Sequence, residues 1–171
     1  MSTAHPWLSE WPWPSTPLPH EQLQERIEHL MAIGNMGVLA TQGNTGPIAS
    51  PIEYRAEGIT PYMYPQPGSP KLAAIKRVPL VCFAIYAPLG NWTSCRSAQI
   101  FGQAVILEPG TPNWDHALEI LPWQASAAEL GRDINVKPTH ALLKIEPERI
   151  VYTEHWLRRY GYAPRHIWRS T

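Results

Sequence analysis

Charge is scarce in this sequence. Asp, Glu, Lys and Arg together make up 16% of the 171 residues, against roughly 25% in an average soluble domain. A chain so poor in charge is expected to hide surface against a partner subunit or around a ligand. Acidic and basic residues balance at 14 each. That balance argues against nucleic-acid binding, which usually needs a basic stripe. The one local basic cluster is Arg158, Arg159, Arg165 and Arg169 near the C-terminus. Cysteine is limited to Cys82 and Cys95. Two lone thiols make neither a disulfide framework nor a zinc signature, and Cys82 reads as a small core hydrophobe. No apolar run approaches the ~20 residues of a membrane span. The chain does not open with a basic region followed by an apolar stretch, so no secretory leader is expected. A cytoplasmic protein that binds neither membrane nor nucleic acid is the expectation.

Proline and tryptophan are abundant, and they crowd the first 19 residues. Proline forbids regular helix there and favours extended backbone. Exposed tryptophans would leave much apolar surface in water, so residues 1–19 are expected to form an arm that docks, ahead of one domain over 20–171.

Residues 20–33 carry Leu23, Ile27, Leu30 and Met31 at helical spacing, with Gly34 as a stop. Short strands are expected next, at 36–41, 48–54, 59–64, 80–86, 97–107 and 141–150. Turn chemistry separates the first three, at Gly43-Asn44-Thr45-Gly46 and Glu57-Gly58. Pro51 implies an edge or a bulge, because proline cannot donate to a ladder. Residues 80–86 are apolar throughout and read as buried on both faces. Gly102 marks a bulge or a barrel corner. Helices are expected at 112–121, opened by Pro112, and around 125–130. Many short strands behind one leading helix favour a barrel over a layered α/β fold.

The stretch Tyr62-Met63-Tyr64-Pro65-Gln66-Pro67-Gly68-Ser69-Pro70-Lys71-Leu72 carries the most chemistry. A strand ends, a glycine-containing loop follows, and Ser69 and Lys71 stand at a helix start. Main-chain N–H groups at such a start point at anions. A hydroxyl and an ammonium two residues apart add a donor and a positive charge, which suits one phosphate group. The GxxxxGK[ST] spacing of a nucleotide-binding loop is absent. No Ser-His-Asp or Cys-His nucleophile set is visible, and the seven histidines show no metal-ligand spacing.

From about residue 35 to 107 the sequence resembles the pyridoxamine-phosphate-oxidase-like FMN-binding split-barrel family. The resemblance rests on Met36-Gly37-Val38-Leu39-Ala40-Thr41, Ser69-Pro70-Lys71, Val78-Pro79-Leu80-Val81 and Phe101-Gly102-Gln103-Ala104, in that order. It implies a mainly β fold with a few helices, a six-stranded antiparallel split β-barrel, and a homodimer with the cofactor at the subunit interface. By the same resemblance, Ser69 and Lys71 hold the FMN phosphate. Ser50, Pro51 and Ile52 lie along the flavin, Met63 and Tyr64 end near its ring system, and Ser97 adds a later polar contact. Residues 49–52 contain no Arg or Lys, and Pro70 stands where the family often has Arg. A deazaflavin or another phosphate-bearing flavin is therefore an alternative to FMN. Trp92, Trp156 and Trp168 are the expected pocket-lining aromatics.

The implied activity is a flavin-dependent oxidoreductase acting on a small molecule, with no side chain assigned as acid or base. Pyridoxamine-phosphate oxidase itself carries a C-terminal Arg-x-His substrate motif, which Arg165-His166 matches only loosely. Two other functions fit the same barrel. One is a non-catalytic flavin-binding protein. The other is a haem-binding or haem-degrading protein, with His155 or His166 as the axial ligand.

Overall fold

The computed structural model describes residues 13–87 and 94–170. Its elements are α1 (His20–Ile33), β1 (Met36–Gln42), β2 (Pro47–Glu57), β3 (Thr60–Met63), α2 (Pro70–Arg77), β4 (Leu80–Tyr86) and β5 (Arg96–Leu107). They continue with α3 (Pro112–Ile120), α4 (Trp123–Glu129), β6 (Leu142–Glu154), a 3-10 helix (His155–Tyr160) and β7 (Arg165–Arg169).

The strands follow the order β3-β2-β1-β4-β5-β6-β7, and every pairing between them is antiparallel. A further pairing of β3 with β6 closes the first six into a barrel. That closure is narrow, involving only Tyr62–Met63 of β3 and Leu143–Lys144 of β6. Farther along β6, residues 149–153 pair with β7 instead. β3 likewise covers only residues 54–57 of β2. Residues 47–53 of β2 pair with β1 alone. Their other edge faces no strand among the described residues, which is why Pro47 and Pro51 are tolerated there.

The helical spacing of Leu23, Ile27, Leu30 and Met31 turns all four into the core. Burying each contributes about 1.5–3 kcal/mol, an upper estimate because the unfolded chain already hides some of that surface. Tyr54 lies under the end of α1. Its hydroxyl donates to the Met31 carbonyl at 3.0 Å and its ring meets Phe83 edge-on at 5.2 Å. Burial pushes the Tyr54 phenol up to about 12. A second tie joins α1 to β6. Arg26 Nη1 lies 3.2 and 2.9 Å from the carboxylate oxygens of buried Glu154, which also accepts from the Tyr152 hydroxyl at 2.7 Å.

Gly102 does mark an irregularity, but the extra residue is on the neighbouring strand. Phe101 pairs with Arg149 and Gly102 with Pro147, leaving Glu148 unpaired between them. A Cβ on Gly102 would collide with the Glu146 carbonyl oxygen, so the backbones meet where only glycine fits.

β4 is not buried on both faces. Val81, Phe83 and Ile85 are buried, while Leu80 and Tyr86 are exposed and Cys82 and Ala84 half-buried. Cys82 therefore belongs to the outer face rather than the core. The apolar run signals a strand whose second face is uncovered in the single chain.

A smaller core of Tyr62, Leu107, Trp114, Ala117, Leu118, Leu121 and Leu142 seats α3 on the barrel. The Thr111 hydroxyl caps α3 by accepting from the Trp114 N–H. The Trp114 indole donates to the His140 carbonyl at 2.8 Å, fixing the approach to β6. Residues 13–19 of the arm lie on the body. Leu18 is buried, Thr16 forms a parallel bridge with Tyr162, and the Arg158 guanidinium stacks over Trp13 at 4.1 Å.

Candidate functional site

Ser69 stands at the N-cap of α2, with Pro70 in the first turn. Gly68, at φ 71°, turns the chain into it, and the Ser69 N–H donates to the Gln66 carbonyl at 3.2 Å. A serine at this place normally turns its hydroxyl onto the helix N–H groups. Here it makes no such bond, and its Oγ is buried without a hydrogen-bond partner. An unsatisfied buried hydroxyl costs about 1–3 kcal/mol. An external acceptor or donor at this point would remove that cost. Lys71, the second residue of α2, is half-buried and takes part in none of the ion pairs among the described residues. A partnerless hydroxyl and an ammonium at a helix start suit an anion, although Pro70 has no N–H and the Leu72 N–H already donates to the Ser69 carbonyl at 3.0 Å.

The other positions taken from the family resemblance fall in several places. Ser50 is half-buried opposite Leu39, Pro51 is exposed opposite Val38, and Ile52 is buried opposite Gly37. The side chain of Ile52 is therefore a core group. What β2 offers a ligand here is the free backbone edge of residues 47–53. Met63 is fully buried, whereas Tyr64, just past the end of β3, is 38% exposed. Ser97 lies on β5 opposite Tyr86 and Thr153. β1 and β4 separate β5 from β2, a step of roughly 14 Å at the usual strand spacing. One chain thus does not bring Ser97 to the Ser50–Ile52 edge.

Two of the three expected aromatic liners make other contacts within the chain. Trp168 is buried in the main core, and Trp156 lies flat under Arg159 at 4.0 Å. Trp92 lies outside the described residues. The imidazole of His166 is committed on both sides. Its Nε2 is 2.7 Å from the Ala163 carbonyl, which can only accept, so that nitrogen carries the proton. Its Nδ1 accepts from the Leu18 N–H at 3.4 Å. Neither nitrogen is left for a haem iron. His155 opens the 3-10 helix beside Trp13, at 6.0 Å between ring centres.

Trp123 is the aromatic that lines a cavity. About 270 Å³ opens between the end of β3, α4 and residues 130–138. Its walls include Glu53, Tyr64, Trp123, Leu130, Arg132 and Val136. Burial raises the Tyr64 phenol above its ordinary value, and the nearby Arg132 charge partly opposes that. The periodicity of 112–130 implied helices but not a pocket, because Trp123 and Arg132 meet Tyr64 only after β3 and β6 close the barrel.

A further feature is the outer face of β1, β4 and β5. Paired residues share a face, so Val38 and Ala40 join Ala84, Cys82 and Phe101. Met36, Leu80 and Tyr86 extend the same face and are 51%, 55% and 67% exposed. A groove of about 480 Å³ runs beside it past Ala40, Leu80, Cys82 and Phe101. So much apolar surface in one place marks an interaction face.

Known proteins with this architecture include several split-barrel structures. General Stress Protein 26 from Bacillus anthracis is 24% identical, with 87% of this chain and 99% of that one covered at a TM-score of 0.63. A haem-binding protein from Mycobacterium smegmatis is 19% identical, with 85% and 57% covered at a TM-score of 0.67. An FAD-binding protein from Mesorhizobium loti is 15% identical, with 78% and 90% covered at a TM-score of 0.59. No curated protein sequence matches the chain. The family described as pyridoxamine 5′-phosphate oxidase matches residues 24–153.

Proposed function

The chain belongs to the pyridoxamine 5′-phosphate oxidase family, and from that membership we propose that it is an FMN-dependent oxidoreductase working as a homodimer. The observation that carries the reading is the buried, partnerless Ser69 Oγ beside an unpaired Lys71 at the start of α2. Both residues lie inside the matched segment. Ser69 donates to a phosphate oxygen and Lys71 balances its charge. On the free edge of β2 the Pro51 carbonyl and the main-chain groups of Ala49 and Glu53 lie along the ring system, framed by Ser50 and Ile52, whose own main-chain groups turn toward β1. A bound flavin supplies the hydride or electron chemistry. The protein's share is to anchor the phosphate, orient the ring and keep water out.

The homodimer has its own support. The outer face of β1, β4 and β5 is apolar and uncovered, and Ser97 sits on β5, the far strand of that face. A second copy seated there gives Ser97 a route to a flavin held on the other chain's β2 edge. Ser97, Met63 and Tyr64 are thus assigned as cofactor neighbours across or along the interface.

An FMN titration followed by flavin absorbance tests the assignment. Wild-type protein is expected to bind FMN saturably, and Lys71→Ala to lose about 1.5–3 kcal/mol of affinity, the range for hydrogen bonds to charged groups. Equal affinity in the variant removes Lys71 from the site. A Soret band in the purified protein points to the haem reading instead, with His155 as the histidine to substitute first.

A further inference from the structure

We infer that the cavity between the end of β3, α4 and residues 130–138 is a binding site for a small aromatic carboxylate, with Arg132 taking the carboxylate and Trp123 the ring. The inference rests on the flavin reading only in making that acid a substrate; the site itself stands on its own geometry.

The backbone around Arg132 is fixed by how α4 ends. Gly131 takes φ 66°. Its N–H donates to the Ala128 carbonyl at 3.0 Å, and the Arg132 N–H reaches the Ala127 carbonyl at 2.8 Å. These two bonds form the glycine-dependent helix stop that satisfies the last carbonyls. They pin Arg132 at the cavity wall, although the residue itself is exposed. Its guanidinium takes part in no ion pair among the described residues. Glu53, on the same cavity, is engaged by Arg55 at 3.2 Å. Arg132 is therefore the charge that an entering ligand meets uncompensated. A guanidinium offers two parallel donors to a carboxylate, which is the geometry that selects such a group.

The remaining walls ask for an apolar body. Trp123 and Tyr64 present rings, and Leu130 and Val136 are 68% and 65% exposed at the mouth. Apolar side chains held in water around one cation favour a ligand with a flat hydrocarbon part and one negative end. The volume of about 270 Å³ lies just under the roughly 300–1,000 Å³ of ordinary ligand pockets. It suits a single-ring acid and excludes a dinucleotide. Tyr64 also leads directly into the loop that ends at Ser69, so a ligand here lies one short loop from Ser69 and Lys71.

Isothermal titration of the full chain with phenylacetate and with phenylacetamide, each with and without added FMN, tests the inference. Phenylacetate is expected to bind saturably and at least tenfold more tightly than its uncharged amide. Arg132→Gln is expected to erase that preference, a loss of roughly tenfold to a hundredfold for the acid. Arg132→Lys should keep part of it. Equal binding of acid and amide overturns the carboxylate assignment. No binding of either, with or without FMN, overturns the site and leaves the apolar rim as a subunit contact. Flavin absorbance read in the same samples separates the two readings, since acid binding without FMN binding defeats only the cofactor assignment.

Discussion

Single residues carry the clearest consequences of burial. His166 is held neutral, with one nitrogen donating to Ala163 and the other accepting from Leu18. Protonation would turn Nδ1 into a second donor facing the Leu18 N–H. Burial lowers the His166 pKa and the Arg26 charge lowers it further, while the Ala163 bond and Glu154 oppose them. A folded pKa below the unfolded value means the unfolded chain binds more protons as the solution acidifies. The stabilising contribution is full above the ordinary histidine range near 6.5 and is lost as pH falls through the folded value. Melting temperature is therefore expected to drop as pH goes from about 7.5 to 5.5. His166→Gln should flatten that dependence without abolishing it, because burial lowers His155 as well. An unchanged slope in the variant would show that the contact at Leu18 does not depend on charge. The same two hydrogen bonds explain why His166, though attractive from the sequence as a metal ligand, is structural.

Elements show what periodicity reveals and what it misses. The α1 pattern specifies one buried face, and that face is observed; the apolar run of β1 specifies a strand but not which face is buried. β4 was harder, since Leu80, Cys82, Ala84 and Tyr86 are as apolar as the three core residues between them. Periodicity cannot separate a strand buried by its own chain from one that a second molecule covers. Gly102 was readable as a break, but not that Glu148 of β6 would be the residue left out of register. Gly102→Ala places a methyl group against the Glu146 carbonyl. Shifting two paired backbones to make room is expected to cost about 1–3 kcal/mol, measurable as a lower urea midpoint with an unchanged slope. A midpoint within error of wild type would mean the two strands can slide apart freely at that step.

At the scale of the whole molecule, the prediction concerns assembly. The uncovered face centred on β4 is expected to hold two copies together. Leu80→Glu and Tyr86→Glu each place a charge where the partner must desolvate it. Both variants are expected to sediment as monomers and to lose FMN affinity along with the dimer, since Ser97 then has no second chain to serve. A variant that remains dimeric with intact FMN binding would move the interface elsewhere. No helix among the described residues is long and apolar enough to cross a membrane. The sequence by itself determined the local units: the leading helix, the seven-residue β4 and the glycine break in β5. These follow because capping, turn chemistry and hydrophobic spacing act over a few neighbouring residues, and the same local reading places Ser69 and Lys71 together at a helix start as candidates for an anion. Only the tertiary structure decided what depends on distant contacts. Tyr62 and Met63 had to meet Leu143 and Lys144 before the barrel closed, and α3 had to seat on the barrel before Trp123 and Arg132 could line a cavity with Tyr64. The partner of each lies dozens of residues away, and nothing in the local pattern encodes which one it will be.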